Sequence, residues 1–164
     1  MRRTRSTGSG SMRLARTGPP IASSLAASVR FTFSCPVRWD DMDAFGHVNN
    51  VTFLIYMQEA RTGMLFAGEA AEHIPDLIKG VVVARHEIDY RRPLEWRPEP
   101  IEVDVWTGEV KSSSFVLRYE MRDQLANVVL AEAMTVLVPF DLDAGRPRRV
   151  SPSERDFLSR YLEP

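Results

Sequence analysis

Residues 51–68 constrain this chain more than any other stretch. They read as one helix, yet Val51, Phe53, Leu54, Ile55, Tyr56 and Met57 make its first two turns apolar nearly all the way round. A surface helix carries a stripe, so this one is expected to sit inside something. Its neighbours in sequence are strand-like. Upstream, Phe31, Phe33 and Cys35 alternate with Thr32 and Ser34 until Pro36 ends the run. Downstream, after a loop near Ile74–Lys79, come four runs. His86, Ile88 and Tyr90 alternate within Val81–Arg91; Ile101, Val103 and Val105 share a face of Pro100–Val110. Phe115, Leu117, Tyr119 and Met121 do the same in Ser113–Arg122, and Asn127–Val138 is apolar enough for a central strand. The connections Arg92–Glu99 and Lys111–Ser114 read as loops between antiparallel neighbours, and Ser151-Pro152 opens a short last helix. An α+β domain, a five-stranded antiparallel sheet wrapped around one central buried helix, satisfies both apolar surfaces.

Charge and composition limit the functions open to such a domain. The chain has 164 residues and a formal net charge of −1, which suits one domain and gives no general attraction to nucleic acid. No apolar run approaches the ~18 residues that cross a bilayer, so membrane insertion is not expected. Cys35 is the single cysteine, which disfavours a disulfide-stapled fold and a cysteine-based zinc site. Residues 1–30 hold six arginines and no acid, in a background of Ser, Thr, Gly and Ala. Such a segment has too little apolar surface to offset its ordering entropy, so 1–28 is expected to be a disordered basic tail before a domain at 29–164. An organellar transit peptide, an interaction arm and an upstream extension, with Met12 as a later start, all fit it.

The run Asp41-x-Asp43-Ala44-x-Gly46-His47-Val48-Asn49-Asn50, followed by an aromatic and by Glu59-Ala60-Arg61, is dense in turn formers and ends at a helix start. It resembles the hotdog-fold thioesterases of the 4-hydroxybenzoyl-CoA thioesterase type. The resemblance extends in element order from Val29 to Val138, and its specific part is this loop and helix start. It implies a hotdog fold, hydrolysis of acyl-CoA thioesters without cofactor or metal, and a homodimer or homotetramer with sites at subunit interfaces. It assigns the catalytic carboxylate to Asp43 and an oxyanion donor to the backbone amide around Asn50.

The residues themselves fit that chemistry. A carboxylate before a helix N-terminus lies near exposed N–H groups and the positive end of the dipole. Those groups can polarise a thioester carbonyl while the carboxylate attacks it or activates water. Other readings compete. Asp40, Asp41 and Asp43 can be a solvated acidic turn, and a metal would need further ligands at a regular spacing. His47 can serve as base or substrate orienter, or only close the turn beside Gly46; Asn49 and Asn50 can be helix caps. His86 and His73 have weaker claims, and His86 reads as a satisfied sheet histidine. Glu59 reads as a salt-bridge partner of Arg61 or of another subunit, and Cys35 as small core packing.

A CoA thioester brings three phosphates, so basic groups are expected by the cleft. Arg91-Arg92 closes the second strand, Lys111-Ser112-Ser113-Ser114 precedes the fourth, and Arg148-Arg149 follows the last. The family's nucleotide-contacting segment resembles the Lys111–Ser114 stretch. Trp96 and Trp106 are candidates for apolar contacts or the acyl pocket. The sequence therefore points to a cytoplasmic acyl-CoA hydrolase. A carrier-protein thioesterase and a non-catalytic acyl-CoA binder on the same fold are the alternatives.

Overall fold

The alternation along the chain becomes five long strands. In the computed structural model, which describes residues 29–67 and 74–163, these are β1 (Phe31–Cys35), β2 (Val81–Tyr90), β3 (Ile101–Val110), β4 (Phe115–Asp123) and β5 (Val128–Asp141). They form one antiparallel sheet in the order β1-β3-β4-β5-β2. A sixth strand of two residues, β6 (Arg146–Pro147), folds back on β5 and adds to the expected five. Gly145, at φ +63, makes that reversal possible. The basic tail 1–28 and His73 lie outside the described residues.

Helix α1 (Asn50–Phe66) lies in the curve of the sheet, packed mainly on β1 and β3. Phe53, Tyr56, Met57, Ala60, Met64 and Leu65 are buried against the inner faces of the strands. There Ile101, Val103 and Val105 of β3 and Phe115, Leu117 and Met121 of β4 are fully enclosed. Each such side chain contributes roughly 1.5–3 kcal/mol by leaving water. Gly63 permits the close approach to β1, because a Cβ there would meet the Phe31 ring at 3.3 Å. This is the hotdog arrangement.

Two details depart from the sequence reading. The helix is not enclosed all round by its own chain: Val51 is 57% exposed and Ile55 41%. The sheet curls around one side only. The Arg92–Glu99 connection also does not join neighbours, because β2 pairs with β5 rather than β3. Enclosing the helix puts β2 at the far edge of the sheet, so the proline-rich segment must cross its end. On the way it lies against the loop before α1, where Leu94 C=O accepts from Val48 N–H at 2.7 Å. Helix α2 (Pro152–Arg160) closes the opposite end, started by Ser151 and Glu154 as a capping box. No helix among the described residues is long and apolar enough to cross a membrane.

Candidate active site

The turn-rich run folds into a tight hairpin. Met42 and Val48 pair as an antiparallel bridge, Asp43 N–H donates to His47 C=O at 2.8 Å, and Gly46 N–H donates to Asp43 C=O at 3.1 Å. Gly46 has φ +79, and a Cβ there would meet nothing within 4 Å, so the glycine serves the backbone angle and not a close contact. Asn49 N–H then donates to Asp41 C=O at 2.9 Å, which fixes the hairpin to the helix start.

The two aspartates of the D-x-D pattern have separate situations. Asp41 is 3% exposed. Its carboxylate accepts from Arg38 N–H at 2.8 Å, from the Arg38 guanidinium at 2.7 and 3.0 Å, and from the Tyr56 hydroxyl at 2.7 Å. Burial acts to raise its pKa, but Arg38 and Tyr56 outweigh burial and hold it below the usual carboxylate range. Burial, with the Asp41 bond, raises the Tyr56 phenol. Asp43 is half-buried, and one oxygen accepts from Phe45 N–H at 2.8 Å. That bond aims the carboxylate and leaves Oδ2 without a partner among the described residues. Phe45 itself is 86% exposed at the tip.

The helix start lies directly beyond the hairpin. Asn49 is the cap: its side-chain oxygen accepts from Val51 N–H and its carbonyl from Thr52 N–H, each at 2.9 Å. Asn50 is the first helical residue. Its amide has no acceptor within its own helix and none among the described residues. The Asn50 carbonyl accepts from the Tyr90 hydroxyl at 2.9 Å, and the Tyr90 ring stands edge-on to Phe53, centroids 5.4 Å apart. Asp43, Gly46, His47, Asn49 and Asn50 therefore form one cluster. The His47 imidazole, half-exposed, lies 4.0 Å from the Glu95 carboxylate.

The basic groups are dispersed. Arg91 follows Tyr90, whose hydroxyl reaches the helix start, but its guanidinium pairs with Glu132 at 2.8 Å and Asp89 at 3.6 Å. Lys111, Ser112, Ser113 and Ser114 form the β3–β4 turn, with Lys111 N–H donating to Ser114 C=O at 2.8 Å and Lys111 Nζ 3.2 Å from Glu109. Phe115 pairs with Leu137 and Val81 with Pro139, whereas Tyr90 pairs with Ala131. The turn therefore lies at the opposite end of β2 from the Asp43 hairpin, roughly 30 Å away at ~3.3 Å per residue. Arg148 is taken by buried Glu154, at 2.7 Å.

The remaining candidates separate as well. Glu59 and Arg61 do not pair, because residues two apart on a helix point to different sides. Arg61 is buried, while Glu59 borders a cleft of about 250 Å³ with Phe33, Cys35, Pro36, Arg38, Ile55 and Tyr56. Burial pushes the Cys35 thiol up to about 11. Trp96 stands edge-on to Trp39, centroids 5.2 Å apart, beside the hairpin. Trp106 alternates onto the outer sheet face under Arg30. Among the described residues no group of three metal-ligating side chains comes together.

Sequence reasoning missed Tyr56 and Tyr90. Tyr56 lies on a helix whose aromatics all read as core, and Tyr90 reaches Asn50 only through tertiary packing. For Tyr56 the phenol was the available signal, since a buried hydroxyl requires a partner; for the exposed Tyr90 the sequence carried none.

The chain is similar to known proteins over most of its length. It is 28% identical over 131 residues to YsmA, an uncharacterised protein of Bacillus subtilis (strain 168), covering 80% of this chain and 86% of that one. Its fold superposes on a predicted thioesterase from Bacillus stearothermophilus with a TM-score of 0.72 and 25% identity, covering 82% of this chain and 98% of that one. A thioesterase from Thermus thermophilus, solved with coenzyme A and zinc, gives a TM-score of 0.65 and 28% identity over 79% of this chain and 92% of that one. Residues 37–159, from the segment before the hairpin to the last helix, match the thioesterase-like superfamily. With the hotdog sheet, the central helix and the hairpin at its start in place, the chain belongs to that superfamily and is a thioesterase.

Proposed function

We propose that the chain hydrolyses an acyl-CoA thioester to the free acid and CoA, with Asp43 as nucleophile or general base. The observation that carries this is the division between the two aspartates. Asp41 is fully engaged by Arg38 and Tyr56, whereas among the described residues Asp43 keeps an unpartnered oxygen beside a helix start whose first amide has no acceptor. The thioester carbonyl oxygen accepts from the Asn50 amide, where the helix dipole favours developing negative charge. Asp43 either adds to the carbonyl carbon and expels CoA as its thiolate, leaving an anhydride that water cleaves to the free acid and the Asp43 carboxylate, or takes a proton from an attacking water and passes it to the departing CoA thiolate. Both routes use the same geometry. His47 orients substrate or relays a proton, Gly46 sets the hairpin, and Asn49 caps the helix. CoA as the thiol carrier is supported by the coenzyme A bound to the Thermus thermophilus thioesterase.

The working unit is a homodimer, or a homotetramer of such dimers. Strand β2 is an edge strand ten residues long with no buried residue, and such an edge is a template for pairing. Antiparallel pairing of two β2 strands about a two-fold axis brings the Lys111–Ser114 turn of one chain beside the Asp43 hairpin of the other. Lys111, Ser112, Ser113, Ser114 and Arg91 then meet the CoA phosphates. The cytoplasm is the matching location.

Thiol release from aromatic, short-chain and long-chain acyl-CoAs, run beside Asp43→Asn, tests the reading. Hydrolysis of one class, reduced ~10²–10⁴-fold in the variant, is the expected result. Unchanged hydrolysis in Asp43→Asn overturns the assignment.

A further inference from the structure

The hairpin that carries Asp43 also carries an imidazole, and a carboxylate from a distant part of the chain reaches it. Asp43 and His47 are opposite each other, joined by Asp43 N–H to His47 C=O at 2.8 Å. Residues opposite each other in an antiparallel pair project to one face, with Cβ atoms ~5 Å apart. The adjoining pair, Met42 and Val48, projects to the other face, and Val48 is buried there. Asp43 and His47 therefore share the open face of the hairpin.

Glu95 is the acid that meets His47, with Oε1 4.0 Å from Nε2. It belongs to the segment that crosses the end of the sheet between β2 and β3, and both of its neighbours are anchored. Leu94 is buried, and its carbonyl accepts from Val48 N–H on the returning arm of the hairpin at 2.7 Å. Trp96 stands edge-on to Trp39, in the turn that leads into the hairpin, with centroids 5.2 Å apart. Glu95 is thus held at the imidazole by attachments before and after it. The two side chains are 42% and 78% exposed, so the pair contributes little to stability. Its place beside the proposed nucleophile is what distinguishes it.

The chemistry leaves work for such a pair. Once Asp43 has attacked the thioester it is tied up as an anhydride, and it has no lone base to offer the water that must cleave that anhydride. We infer that Glu95 is a positioning residue for this reaction, holding His47 as the base of the second step. This deepens the hydrolase reading and rests on it. In the first step an Asp43 oxygen bonds to the acyl carbon, the C–S bond breaks, and CoA departs as thiolate. In the second, water adds to the acyl carbon, its proton passes to His47 Nδ1, and the C–O bond to Asp43 breaks. The acid leaves, the Asp43 carboxylate is restored, and the imidazolium returns its proton to the thiolate. Glu95, at the other ring nitrogen, fixes the orientation of the ring and balances the charge it gains. That is the third role in a nucleophile, base and orienter set.

Glu95→Gln keeps the shape of the side chain and removes its charge. With the acyl-CoA that the wild type turns over fastest, kcat is expected to fall at least about tenfold, with KM within about twofold and Tm unmoved. Only the second step is slowed, so rapid mixing should show a burst of thiol, about one equivalent per site, before slow turnover. In a His47→Gln background the same change should cost nothing more, because a residue that acts through another is silent once that other is gone. Full kcat in Glu95→Gln, a loss confined to KM, a loss accompanied by a lower Tm, or a kcat loss without the burst each overturns the inference. A further loss of the same size in the double variant does so too. A wild type that releases thiol from no acyl-CoA overturns the hydrolase reading and this assignment with it. An active wild type with an indifferent Glu95→Gln overturns this assignment alone.

Discussion

Replacing Tyr56 by Phe removes one oxygen from the support of the hairpin. The Tyr56 hydroxyl is buried and donates to Asp41 at 2.7 Å. A hydrogen bond to a charged group contributes ~1.5–3 kcal/mol. Phe leaves no orphaned donor, and Asp41 keeps the Arg38 donors, so the lower end applies, about 1.5 kcal/mol. For a domain of this size that lowers Tm by roughly 3–8 °C. Asp41→Asn should cost more, since it removes the charge on which Arg38 and Tyr56 converge. Because the folded pKa of Asp41 is depressed, the stabilisation is present above the unfolded carboxylate value of ~3.9 and is lost as pH falls through the lower folded value. The raised Tyr56 pKa acts in the other direction: its contribution is intact below ~10 and is lost as pH rises through the folded value. The Tyr56→Phe deficit should therefore be level between about pH 5 and 9 and shrink below about pH 4. Thermal unfolding at a series of pH values measures it. A Tyr56→Phe protein that melts with the wild type at neutral pH, or an Asp43→Asn that melts lower than Asp41→Asn, would refute the division of labour between the two aspartates.

Three further outcomes follow from the same geometry. Cys35, its thiol raised to about 11 by burial, should resist alkylation in the folded protein at about pH 8 and react on unfolding; fast labelling of the native protein would contradict its enclosure. Arg148→Met should cost ~3–5 kcal/mol, because Glu154, fully buried and bound by Arg148 at 2.7 and 2.9 Å, would lose its counter-charge; equilibrium denaturation reads this directly. Sedimentation should give at least the dimer mass, and Ile88→Pro, which removes an N–H that β2 turns to its open edge and not to β5, should return the monomer with lower thioesterase activity. A dimer unaffected by that change would place the interface elsewhere.

The order of elements was legible because each has a simple period. Phe115, Leu117, Tyr119 and Met121 alternate, and they line one inner face as the alternation requires. The helix start was legible for a similar reason: Asn49 and Gly46 have narrow backbone roles, and both fill them. Which aspartate is held and which is left available was not legible from the residues themselves, and only the family resemblance pointed to Asp43. Asp41 and Asp43 are equivalent in sequence and differ only because Arg38 and Tyr56 reach one of them.

What the chain determined by itself is local: strand periodicity, an apolar helix, and a turn whose residue types suit a carboxylate beside a helix N-terminus. Tertiary structure decided everything that depends on distance through space. It put β2 beside β5, sent the Arg92–Glu99 segment across the end of the sheet, and separated Lys111–Ser114 from Asp43. Periodicity reports which face of an element is apolar. It carries no information on which other element that face meets, and that meeting determines the partners of every buried charge.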